Sequence, residues 1–123
     1  MLLRVTYRLR AHHVAAYERV FAEETLPLIR AHGLNFLGLW RSLVGEAQEY
    51  LELFQFESLA DFEIRWRALG ADPRLQKIFA TTGPMVEEER FALFDQVLAG
   101  GTTLVAHPLA PSAKEQKEQK EQI

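Results

Sequence analysis

Hydrophobic and polar residues alternate at the start of the chain, with Leu3, Val5, Tyr7 and Leu9 on one parity and Arg4, Thr6, Arg8 and Arg10 on the other. A period of two places the first set on the buried face of a strand over residues 2–10. The period then lengthens: Val14, Tyr17, Val20, Phe21 and Leu28 share one face of a helix that runs to Ala31. Pro27 lies inside it and is expected to kink or interrupt it, because proline lacks a backbone donor and crowds the preceding turn. His32-Gly33 supplies the stop, the glycine suiting a left-handed cap.

Residues 34–44 and 48–57 read as two strands joined at Gly45-Glu46-Ala47, a hairpin. Ser58 with Asp61 three positions later resembles a capping box, and Leu59, Phe62, Trp66 and Leu69 follow at helical spacing until Gly70. Asp72-Pro73 then forms the N-cap and first position of another helix, with Leu75, Ile78 and Phe79 inward as far as Gly83-Pro84. The segment PMVEEERFALFDQVLAGG fits two patterns. Val86, Arg90, Leu93, Phe94 and Val97 suit a helix, whereas Phe91 and Leu93 against Arg90, Ala92 and Phe94 suit a strand. The alternative last strand is TTLVAHPL at 102–109, and KEQKEQKEQI beyond it reads as a solvated, low-complexity tail. The order β-α-β-β-α-α-β leads to an α+β domain of the ferredoxin-like plan, an antiparallel sheet with its helices on one side.

Parity along the hairpin carries a further expectation. Phe36, Trp40, Tyr50, Phe54 and Phe56 fall on one face, and Leu37, Leu39, Leu43, Leu51 and Leu53 on the other. Helices on one side of a sheet cover one such face, and the second needs a partner, most simply a second copy packed sheet to sheet around a two-fold axis. Wrapping of the later helices onto both sides of the sheet is the competing arrangement.

The aromatic layer also raises the question of a ligand. Tyr7, Phe36, Trp40, Tyr50, Phe54 and Trp66, with Phe56 and Phe62, would meet between sheet and helices. Such stripes form cores, and at an open end they also form pockets for planar organic molecules. Glu52 shares the parity of Tyr50 and Phe54. A carboxylate there either has its pKa raised and serves as a general base, pairs with an arginine such as Arg41 or Arg65, or lies at a strand end in water. His12 and His13 open the first helix. As adjacent residues they do not form the i, i+4 pair of a metal site, and one of them is a candidate acid or base, so the catalytic candidates are Glu52, His12 and His13. The EEER run at 87–90 reads as a solvated charge cluster.

Composition removes several function classes. With no cysteine in 123 residues there is no disulfide framework, thiolate metal site or cysteine nucleophile. A net charge of −3, with lysine and arginine dispersed, argues against binding the nucleic-acid backbone. No Gly-rich phosphate loop or nucleophile elbow is present. No secretory or membrane segment is visible, so the cytoplasm is the expected location, and neither a cofactor nor a metal is expected.

The stretches YRLR, EETLPLIRAHG, LGLW, LFQFESLADFEIRWRAL and DPRLQ, in this order and spacing over residues 3–98, resemble the NIPSNAP family. That resemblance implies a dimeric α+β barrel related in fold to antibiotic-biosynthesis-type monooxygenases. It also implies a last strand over 88–98, a domain over 1–99 with an extension over 100–123, and no catalytic residues to carry over. The expected function is a homodimer binding a small apolar or aromatic ligand between sheet and helices. The alternative is a cofactor-independent monooxygenase or isomerase acting on an aromatic or polyketide-like compound.

Overall fold

A computed structural model describes residues 1–44 and 48–100. The hairpin turn at 45–47, the alternative strand at 102–109 and the KEQ tail lie outside the described residues. Four strands, β1 (Leu2–Leu9), β2 (Asn35–Arg41), β3 (Gln48–Gln55) and β4 (Val86–Phe94), form one sheet in the order β2-β3-β1-β4. Every neighbouring pair is antiparallel, as the ferredoxin-like plan requires. The helices are α1 (Val14–Val20), α2 (Leu26–Ala31), α3 (Leu59–Gly70) and α4 (Pro73–Thr82).

Pro27 has a local effect. A single π turn, Phe21–Thr25, joins α1 to α2, and the amide of Leu26 reaches back five residues to the carbonyl of Phe21. Proline at 27 cannot donate to the carbonyl four residues earlier, and the wider turn accommodates that missing bond without breaking the helix. At the end of α2, Gly33 adopts φ +71°, and the amides of His32, Gly33 and Leu34 close back onto the carbonyls of Leu28, Arg30 and Ile29. The other caps follow the sequence. Ser58 Oγ accepts from the amide of Asp61 at 3.0 Å, and Asp61 accepts from the amide of Glu57 at 3.1 Å. Asp72 caps α4 through the amide of Arg74.

The helices cover one face of the sheet. Leu3, Val5, Tyr7 and Leu9 of β1 and Tyr50 and Phe54 of β3 are buried against Tyr17, Phe21, Ile29, Leu69 and Leu75. The central pair keeps one register throughout, from Leu2 opposite Gln55 to Leu9 opposite Gln48.

Both edge strands slip, and the slip in β2 corrects a sequence expectation. In β2 the register shifts between Phe36 and Gly38, so Leu39 lies opposite Glu52 on the helix face and Trp40 lies opposite Leu51 on the open face. Strict alternation assigns these two residues the other way round; the bulge at Leu37 reverses them, since one extra residue inverts the parity of all that follows. Leu43, expected on the sheet's open face, lies beyond the end of β2 and is almost fully exposed. The ambiguous segment resolves as strand: β4 begins two residues before, and ends four before, the 88–98 span implied by the resemblance.

Candidate functional site

Between the sheet and the helices lies a cavity of about 400 Å³. Its walls are mostly apolar: Val5, Phe54 and Phe91 from the sheet, Tyr17, Phe21 and Ile29 from the first helix, and Trp66, Leu69, Leu75 and Phe79 from α3 and α4. Phe79 and Phe91 are each more than half exposed and mark its mouth. Trp66 meets Phe54 and Phe91 edge-on, with ring centroids 5.4 and 6.2 Å apart, so the aromatic layer continues from core to opening.

The cavity carries two carboxylates, Glu52 and Glu89. Glu52 lies on β3 between Tyr50 and Phe54 and is 9% exposed. Burial raises its pKa to about 7, opposed by a hydrogen bond from Tyr7 and reinforced by the charge of Glu89. At neutral pH its carboxyl group is therefore divided between protonated and ionised forms, the condition a proton acceptor or donor needs. The pairing of Glu52 with Arg41 or Arg65 is not found. Arg41 binds Glu18 at 2.7 Å, and Arg65 binds Asp61 at 2.7 Å. The strand-end, solvated alternative for Glu52 is likewise replaced by burial.

Tyrosines surround this acid. The Tyr17 hydroxyl donates to the Tyr7 oxygen at 2.7 Å, and Tyr7 donates in turn to Glu52, a chain of donors running from helix to strand. Desolvation, with the charge of Glu52 next in size, pushes the pKa of both phenols well above the usual phenol range and keeps them protonated donors. Tyr50 stacks on Tyr7 at 5.4 Å and 5°, but its hydroxyl turns away to Glu18 at 2.6 Å.

Glu89 reaches the cavity by the alternation of β4, next to the second slipped register. β4 shifts against β1 between Thr6 and Arg8, and Glu88 takes φ +54° in the bulge. Glu87 and Glu88 then pair with Arg10 and Arg8, while Glu89 follows the parity of Phe91 and lines the cavity. Its pKa is raised by desolvation. Reading EEER as uniformly solvated misses this residue, although parity counted back from Leu93 and Phe91 reaches it.

The expected ligand residues divide into three groups. Phe54 and Trp66 line the cavity. Tyr7, Phe36 and Tyr50 stand behind that lining within the packed layer. Trp40 lies on the opposite face, nearly half exposed, with its indole folded over Gly38. Phe56 and Phe62 pack edge to face with each other at 5.2 Å, also outside the lining. His12 and His13 occupy a 3-10 turn (Ala11–His13) with rings 4.0 Å apart, and neither lines the cavity. Among the described residues no group of three or more His, Cys, Asp or Glu is arranged to hold a metal ion, and no helix is long and apolar enough to cross a membrane.

At the corner where α2 ends, Asp72 is buried and receives the side chain of Arg74 at 2.8 and 3.1 Å. Its other close partner is His32 Nε2, at 2.8 Å. The Arg74 bonds, followed by the His32 contact, hold the Asp72 carboxyl well below the ordinary carboxylate range. Nearby, Arg65 donates to the carbonyls of His32 and Gly33. These contacts fasten both later helices to the first.

Solved structures share this fold. A NIPSNAP family protein of unknown function from Agrobacterium tumefaciens is 26% identical, with a TM-score of 0.69 over 74% of this chain and 82% of its own. A candidate antibiotic biosynthesis monooxygenase from Deinococcus radiodurans is 13% identical, with a TM-score of 0.61 over 84% of this chain and 99% of its own. MhuD, solved with two manganese protoporphyrin IX molecules per active site, is 19% identical, with a TM-score of 0.54 over 82% and 99%. The last two likenesses concern the fold alone. No curated protein matches the chain significantly. The NIPSNAP family model matches residues 2–96, from the first strand past the end of the last, and on that span the chain belongs to the NIPSNAP family.

Proposed function

We propose that this NIPSNAP chain forms a homodimer that binds a small apolar or aromatic molecule in the cavity between sheet and helices. The observation that carries this reading is the cavity itself, about 400 Å³ with aromatic walls and half-exposed phenylalanines at its mouth. That volume lies within the range of small-molecule sites and suits one or two fused rings. MhuD, solved with manganese porphyrins in its active site, supports the view that this fold can open to planar molecules. The chain has two tryptophans, so a Trp40→Phe variant leaves Trp66 as the sole tryptophan reporter of the cavity. Titration of that variant with indole and 1-naphthol should change its fluorescence saturably. A purely linear response to both compounds would reject the site.

The homodimer is supported by the open face of the sheet. Trp40 and Phe94 are nearly half exposed there, beside the partly covered Leu51 and Leu53. A second copy laid sheet to sheet would bury this apolar strip. Sedimentation should give a dimer for the wild type and a folded monomer for the Trp40→Glu, Leu51→Glu double variant. A monomeric wild type would remove this part of the proposal. The binding domain is taken as residues 1–99, with 100–123 as an extension, and its setting as cytoplasmic.

Glu52 favours a second reading, an enzyme of the cofactor-independent monooxygenase or isomerase type. A buried carboxyl group that titrates near neutrality can take a proton from a carbon acid and return it. In D2O, an enolisable aromatic ketone such as 2-tetralone should exchange its α-hydrogens faster with the wild type than with Glu52→Gln. Equal rates would leave binding without chemistry.

A further inference from the structure

The charge of the cavity is one-sided. Its lining contains Glu52 and Glu89 and, among the described residues, no arginine, lysine or histidine. Several cations on neighbouring elements are engaged elsewhere: Arg41 with Glu18, Arg65 with Asp61 and two carbonyls, and Arg74 with Asp72; Arg30, Arg67, Lys77 and Arg90 lie outside the lining. Arg8 and Arg10 pair with Glu88 and Glu87. Glu52 is buried behind aromatic walls and receives its hydrogen bond from a neutral phenol, which leaves the ionised form without a counter-charge.

We infer that the cavity is built for an organic cation, an aromatic or apolar molecule carrying a primary or secondary amine, with its ammonium held by Glu52 and Glu89 and its body against Trp66, Phe79 and Phe91. This rests on the ligand-binding reading above and narrows it to one ligand class. Three features meet the chemistry of such a ligand. An ammonium carries several donors and no acceptor, so it can serve two carboxylates at once. The faces of tryptophan and phenylalanine attract a desolvated cation, and the same rings take the apolar body. A buried carboxylate lacking a counter-ion, with the exposed carboxylate of Glu89 lining the same cavity, disfavours an anionic ligand and gains from a cationic one.

The groups that face Glu52 are Tyr7 from β1, Tyr17 from α1 and Glu89 from β4, while α3 and α4 contribute Trp66, Leu69, Leu75, Phe79 and Thr82 to the lining. None of these is a cation. Ammonium binding therefore favours ionised Glu52, and the proton that the free protein holds there leaves on binding.

The test compares three probes of one shape but different charge: 2-phenylethylamine, 2-phenylethanol and 3-phenylpropanoate. Each is titrated calorimetrically into the full chain, below neutrality, in two buffers of unlike ionisation enthalpy. The amine should bind about tenfold or more tighter than the alcohol, the carboxylate should bind more weakly than either, and amine binding alone should release protons. Glu52→Gln keeps the shape and the Tyr7 hydrogen bond. It should weaken the amine, leave the alcohol unchanged and abolish the proton release, and Glu89→Gln should weaken the amine without abolishing that release. Equal binding of amine and alcohol, or loss of both probes together in the variants, would overturn the cationic assignment while leaving a ligand site. Failure of all three probes to bind the wild type would overturn the assignment and the ligand-binding reading with it.

Discussion

The central pair of strands and the two edge strands differ in how faithfully they follow alternation. β1 and β3 keep one register over eight paired positions, and every odd residue of β1 from Leu3 to Leu9 is buried. β2 and β4 each slip once, with opposite results. In β2 the slip carries Trp40 out of the aromatic layer to the open face, and in β4 it turns Glu87 and Glu88 to Arg10 and Arg8 while Glu89, before it in the alternation from Phe91, stays in the cavity. The centre of the sheet thus holds the core, while the edges set the character of its two surfaces. Bulges concentrate at edges because an edge strand has only one neighbour whose pairing they disturb.

This division predicts unequal costs for similar changes. Phe54 is 1% exposed on β3, and Phe54→Ala should destabilise the domain by about 3–5 kcal/mol, measured by denaturant unfolding. A cost below that of an exposed phenylalanine would place the core elsewhere. Glu52→Gln should act in the other direction. Its carboxyl has a folded pKa of about 7, above the value near 4.3 in an unfolded chain. The folded state therefore holds the proton more tightly, and stability is lost as pH rises from about 4 to 7. Glutamine removes that loss and should stabilise the protein by at most roughly 3 kcal/mol in mild alkali, with little effect in acid.

The edges should respond less. A Cβ on Gly38 would lie 2.8 Å from the Trp40 indole, so Gly38→Ala should cost about 1–2 kcal/mol. Adding Trp40→Ala should recover part of that cost by removing the clash, and strict additivity in a double-mutant cycle would show that the ring is not the obstacle. Phe91→Ala, at a half-exposed edge position, should cost about 1 kcal/mol or less. Its larger consequence should be weaker probe binding, since Phe91 stands at the mouth of the cavity.

These slips also mark where the sequence stops being legible. Element order, the caps at Ser58, Asp72 and Gly33, and the buried parity of β1 all follow from local pattern and turn chemistry. The dipeptide rules that reveal those caps do not reveal a bulge, because Leu37 and Glu88 are ordinary residues whose effect appears only against a partner strand. Alternation alone therefore puts Trp40 on the wrong face, and Glu89 is hidden in a charge run. Glu52 was visible as a candidate from parity alone. Its partners were not, since Tyr7 and Tyr17 meet it from different elements and read in sequence as ordinary core aromatics. The two histidines stand out in sequence as a pair of reactive side chains, yet the 3-10 turn holds their rings side by side, tilted at 41°, outside the cavity.

The contacts at the end of α2 bear on how anything enters. Arg65 grips the His32 and Gly33 carbonyls, and Asp72 grips His32, so α3 and the start of α4 are anchored at one corner. Among the described residues, the other end of α4 has no such anchor and leads through the Gly83–Met85 turn into β4. That far end carries Phe79 and Thr82, with Gly83 just after it, and all three line the cavity. Binding of a probe should slow amide exchange around Thr82 and leave the His32 corner unchanged. Slowed exchange confined to that turn would make the Asp72 anchor a pivot and the last turn of α4 the part that yields to a ligand.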